Sequence, residues 1–140
     1  MALIFGEPLA LGILIGAYEA IVIHRDVTIP THRFGHLVHA FFLSIAFTFA
    51  TMNTEFVLSV IPQLQGIPLL GTAIGLNIAL GLLAAIKIHA VSRAVKTTGA
   101  TAAGLGETWF HSILVGALIA AAPYLFPLIE PMLPNWIKGW

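Results

Sequence analysis

The sequence contains no cysteine and very little charge. Without cysteine there is no disulfide framework, no thiolate centre and no cysteine-held iron–sulfur cluster. Charged residues make up only 9% of the 140 residues, against about 25% in a soluble domain. The six basic and six acidic residues balance, and no basic block suits a nucleic-acid backbone. Nucleotide-binding glycine motifs are also missing. None of Ser44, Ser59, Ser92 and Ser112 sits in a hydrolase nucleophile elbow. Ser112 follows His111 directly, but neighbours on a helix point about 100° apart, so adjacency makes no catalytic pair. The sequence holds no soluble catalytic domain. Any enzymatic chemistry would have to take place among membrane helices or with a partner.

What the sequence does have is apolar surface, 59% of its residues being hydrophobic. Lipid is the solvent that accommodates such an excess. Four apolar stretches, over residues 2–23, 34–61, 67–91 and 105–128, each reach the roughly 20 residues that a helix needs to cross a bilayer. Helices satisfy every backbone polar group within the segment, as lipid demands, and no short alternating strands are present. The expected fold is therefore all-α: one integral membrane four-helix bundle with short loops, spanning 1–140 as a single domain. Pro30 ends the first loop, and Thr31 is placed to cap the next helix. Pro62, Gly66 and Pro68 mark a tight second turn. Prolines at 123, 127, 131 and 134 argue against a regular helix near the end and predict a proline-rich interfacial segment over 123–140, with Trp136 and Trp140 at headgroup level. Small-residue rows at Gly12, Gly16 and Ala20, and at Gly71, Gly75 and Ala79, allow close helix approach within the bundle or to another subunit.

The histidines concentrate near one end. Four of the six lie between His24 and Phe42. His36 and His39 share a helix stripe with His32, and Glu107 lies one turn before His111. Counted inward from the expected boundaries, Glu19, His39, His89 and His111 fall roughly 6–12 Å below the same surface. Three readings fit this band. Imidazole and carboxylate are good ligands, so His36, His39, Glu107 and His111 are candidates for a transition metal ion. Histidines on opposing helices can also hold a haem, with His39, His89 and His111 as candidate cofactor ligands. Alternatively, imidazoles near a membrane boundary simply pack, since a ring can keep its polar tip in water. Glu55 stands apart, about 160° around an ideal helix from His39, and lines no common straight pore with it.

Such a small mass outside the membrane favours a small accessory or structural subunit of a larger membrane complex. A haem- or metal-binding electron-transfer subunit and a proton-relay or transport subunit are the alternatives. Membrane lipids, and either other integral membrane subunits or further copies of the chain, are the expected partners.

Charge gives sidedness. Arg25 and Arg33 lie in the first loop, with Lys87, Arg93 and Lys96 at and beyond the end of the third span; Lys138 alone falls at the other end. Basic loops face the cytoplasm, which puts both termini on the non-cytoplasmic side. Alkaline phosphatase fused to either terminus should therefore be active, and cytoplasmic reporter activity at both ends would overturn the orientation.

Overall fold

The computed structural model describes residues 3–26, 30–93 and 108–138, with side chains for 3–21, 34, 37–90 and 108–138. Among them it is all-α. Four long helices, α1 (Gly6–Asp26), α2 (Pro30–Met52), α4 (Ala73–Arg93) and α5 (Trp109–Ile129), are joined at one end by a short helix, α3 (Thr54–Val60), and a 3-10 turn over Pro62–Gly66. At 21 to 23 residues, each long helix runs about 30–35 Å. α1 packs on α2 and α4 on α5, and the two pairs close together through α2 with α4 and through α5 with α1 and α2.

Each helix turns one stripe inward. Leu11, Ile15 and Glu19 supply it on α1, and Ala40, Ser44, Thr48 and Thr51 on α2. Asn77, Ala84 and Ile88 do so on α4, and Ser112, Val115, Ile119, Ala122 and Phe126 on α5. A second set of large side chains points outward: Leu9, Ile13, Phe42, Ile78, Leu82, Ile86, Ile113 and Leu128 are all exposed. A soluble bundle would cover that outer face with polar residues. Among the described residues, Ala73–Ala90 and Trp109–Met132 are long and apolar enough to cross a membrane, and Leu37–Met52 with Thr54–Val60 makes a third if the bent pair is one span. The chain is a small α-helical membrane protein.

The expected second span does not run straight through. Asn53 stops α2, and α3 leaves at 88° to it. The cause is the Asn53 carboxamide. Its Oδ1 accepts from the Ile4 N–H at 2.9 Å, and its Nδ2 donates to the carbonyls of Ile4 and Phe49, each at 3.0 Å. Glu55 is thereby carried out of the bundle onto α3, where it is exposed. That disposes of the cost of burying its carboxylate in lipid.

The other boundaries also shift. α2 begins with Pro30 at its first position, which puts Thr31 inside the helix rather than at its cap. α4 starts at Ala73, not near residue 67. Leu69 adopts a left-handed backbone conformation (φ 72°), and Gly75 seats against the Leu69 carbonyl, so Gly71 and Gly75 build this turn instead of a helix-packing row. α5 continues through Pro123 and Pro127 to Ile129, one residue past the expected end of the fourth span. In apolar helices the freed carbonyls are re-satisfied by local adjustment and neighbouring groups.

Helix approach is close where glycine permits it. A Cβ at Gly12 would come within 2.8 Å of the Ile45 Cα, and one at Gly16 within 2.8 Å of the Phe41 ring. This contact sets α1 and α2 antiparallel, with facing residues whose numbers sum to about 57. Gly81 and Gly116 do the same for α4 and α5: a Cβ on Gly81 would meet the Gly116 carbonyl and lie 2.7 Å from the Ala120 methyl. Between helices in lipid, packing supplies most of the attraction, so forcing the backbones apart is costly. Gly81→Ala should destabilise the α4–α5 pair by about 1–3 kcal/mol, read from denaturant titration of helicity in micelles.

Candidate functional site

The polar groups at the end of the bundle where α4 meets α5 form a connected set. α5 starts at Thr108, whose backbone carbonyl accepts from the N–H groups of His111 and Ser112 at 3.1 and 3.2 Å. The Thr108 hydroxyl lies 2.9 Å from His111 Nδ1 and also accepts from the His111 N–H. It thus caps one orphan donor of the first turn, the His111 N–H. Ser112 Oγ donates to the Thr108 carbonyl at 3.3 Å and contacts His89 Nδ1 at 3.3 Å. A serine has one proton to give. With that proton on the Thr108 carbonyl, His89 donates through Nδ1–H, which leaves Nε2 as the basic nitrogen of the neutral ring. His89 is buried and stacks on the Trp109 indole, with centroids 3.7 Å apart and planes 16° from parallel.

The expected candidates distribute unevenly over this framework. His89 and His111 are joined to it through Ser112 and Thr108. His39 is exposed on α2, and no hydrogen bond, ion pair or ring contact links it to His89 or His111 among the described residues. Glu19 is fully buried on α1. Glu107 and the side chain of His36 lie outside the described residues, as do those of His24 and His32.

The observed helix starts differ from the expected ones. α2 begins four residues earlier than expected, so His39 lies nine residues, about 14 Å, inside its helix. α5 begins four residues later, so His111 lies only two residues, about 3 Å, from its start. Among the described residues no group of three or more His, Cys, Asp or Glu side chains could hold a metal ion.

Chemically, the connected set is an inter-helix clasp. It holds the last turns of α4 on the first turn of α5 through a buried imidazole. Comparison with protein-family models, curated proteins and solved structures finds no match for the chain.

Sequence reasoning missed a second polar feature, the inward stripe of α2. Ser44, Thr48 and Thr51 recur at spacings of four and three, one turn each beyond Ala40, and all are buried. The signal lay in that spacing. Small hydroxyl residues inside an apolar run read as neutral until their common face is drawn.

Breaking the clasp tests the first of these two features. Ser112→Ala leaves the buried His89 Nδ1–H without its acceptor and should cost about 1–3 kcal/mol of bundle stability. Thr108→Ala removes the cap and should cost about 1 kcal/mol. Thermal or denaturant unfolding in micelles measures both.

Proposed function

We propose that the chain is a single four-span integral membrane domain, with both termini on the non-cytoplasmic side, that serves as a small accessory subunit of a larger membrane assembly. Several features support four spans. α1 and α2 match α4 and α5 in length. The one acid in the middle of α1, Glu19, is turned fully inward. Leu9, Ile13 and Leu14 on α1 and Phe42 on α2 are exposed as acyl chains require. Trp136 and Ile137 line a pocket together with Phe5, Leu9 and Ile13 of α1, as expected of an even number of crossings.

One observation carries the subunit reading. An open groove of about 540 Å³ runs along the outside of the α4–α5 pair. Its floor is small, formed by Gly81, Ala85, Gly116, Ala117, Ala120 and Ala121, and Ile78, Leu82 and Ile113 stand along its walls. Small floors of this kind let a further helix approach closely in lipid, where van der Waals contact and not the hydrophobic effect drives association. Tyr124 stands exposed at the rim and presents a phenol inside an otherwise apolar surface. A polar tip there suits a neighbouring helix with a hydrogen-bonding side chain. The occupant that fits is a transmembrane helix of a partner subunit.

Filling the groove is the test. Ala117→Leu and Ala121→Leu add bulk on the open side without entering the Gly81–Gly116 contact. The native assembly, extracted in mild detergent and sized, should lose this chain in the double variant while helicity and thermal stability of the isolated chain persist. A complex of unchanged size and composition would overturn the subunit reading.

A further inference from the structure

The interior of the bundle has polar atoms that the protein does not satisfy. Ser44 Oγ, Thr48 Oγ1 and Asn77 Oδ1 are buried and have no hydrogen-bond partner among the described residues. Ser44 and Thr48 are 0% exposed and Asn77 3%. Leaving such groups dry is expensive, and natural interiors pair nearly all of them with protein or with ordered water.

Their positions are related. Thr48 lies four residues inside the end of α2, and Asn77 four residues inside the start of α4. These two helix ends adjoin through α3 and the 3-10 turn, so both residues sit about 6 Å below the same end of the bundle. Ser44 is one turn deeper. Thr51, one turn shallower, donates to the Thr48 carbonyl, and Asn53 closes the top of the row. Below Ser44 the stripe continues with Ala40, a small residue. Beyond it, the α1–α2 register places Glu19 opposite residue 38.

Helical Cα–Cβ bonds tilt toward the N-terminus. The N-terminus of α2 lies at the far end and that of α1 at the near end. Ser44 therefore leans down toward Glu19, and Glu19 leans up toward Ser44. Glu19 is fully buried and also takes part in a polar or electrostatic contact of its own.

We propose that the polar core face of α2 holds a file of water that runs from the end of the bundle nearest α3, past Thr48, Asn77 and Ser44, to the Glu19 carboxyl. The step from Thr48 to Ser44 is about 6 Å and that from Ser44 to the level of Glu19 about 9 Å, shortened by the lean of the two side chains, gaps that one to three waters bridge. The file hydrates an acidic group that lipid alone would exclude and gives it a route for proton exchange with that surface. It is independent of which membrane side that surface faces and of any partner in the α4–α5 groove.

The cysteine-free sequence makes the test direct, because any introduced thiol is the sole one. Ser44→Cys, Thr48→Cys, Glu19→Cys and, as a dry control, Ala84→Cys in the apolar core are reconstituted in bilayers. Each is transferred to D2O, and the S–H to S–D conversion is followed in the infrared. Thiols on the file should exchange at least about tenfold faster than that of A84C, since exchange needs contact with water. Adding Thr48→Leu as a plug should slow exchange at Glu19→Cys by about tenfold, on the same ground. Exchange in S44C and T48C as slow as in A84C would overturn the proposal. That is the outcome if the hydroxyls turn to carbonyls one turn back and the interior is dry. Fast exchange at Glu19→Cys that the plug leaves unchanged would also overturn it, by showing that water arrives from the other end. S44C and T48C are close to isosteric, so the first comparison holds even where Glu19→Cys fails to fold.

Discussion

The carboxamide of Asn53 is the fastening on which the rest of the molecule depends. It gives its oxygen to the Ile4 N–H and its nitrogen to the carbonyls of Ile4 and Phe49. Each bond contributes about 0.5–1.5 kcal/mol net. Their geometric effect is larger than their energy. They end α2, direct the chain into α3 and tie the segment before α1 to the end of α2, 49 residues away. With that end held and Gly12 seated on Ile45, α1 has one antiparallel register on α2. The α3 segment then delivers the chain to the start of α4, and the second helix pair follows.

Within this frame, side-chain placement follows the solvent. The exposed faces carry Leu, Ile and Phe, and the enclosed ones carry Glu19, Ser44, Thr48, Thr51, Asn77, His89 and Ser112 beside a modest apolar cluster. Cohesion cannot come from hiding apolar surface from lipid. It comes from close backbone approach at Gly12 and at Gly81–Gly116, and from polar clasps at the two ends. The Asn53 clasp holds one end of the α1–α2 pair. Ser112 and Thr108, with His89 stacked on Trp109, hold the opposite end of the α4–α5 pair.

Much of the architecture was legible in the sequence. Run length and the scarcity of charge give long helices and a lipid surroundings, and Gly12 and Gly16 at one-turn spacing mark the face that α1 turns to α2. The break at Asn53 was not legible, because a lone asparagine in FATMNTEFVL is unremarkable and its partner, Ile4, is remote in sequence. Pro123 and Pro127 left open whether the fourth helix ends or runs on, and it runs on, because the local cost of proline is absorbed by an apolar helix whose freed carbonyls are re-satisfied nearby. The depths of the histidines were counted from helix starts that differ from the observed ones. Moving one helix start by four residues outward and another by four inward shifts His39 and His111 by about 6 Å in opposite senses. His89 stood out in the sequence as a histidine near the end of an apolar run. The residues that orient it, Ser112 and Trp109, become neighbours only once α4 and α5 are antiparallel.

The right-angle turn after α2 has a mechanical consequence. α3 and the following 3-10 turn bury no residue, yet they combine exposed Phe56, Val60, Ile61 and Ile67 with exposed Glu55, Gln63 and Gln65. Laid across the bundle end, this segment resists sinking because of its acid and amides, and resists lifting because of its apolar side chains. In a bilayer a segment of that composition would settle at the interface and act as a float for that end of the bundle. A thicker or thinner bilayer then cannot be met by sliding the whole molecule. The mismatch, a fraction of a kcal/mol per ångström, falls on the opposite end, where tilt or snorkelling side chains must absorb it.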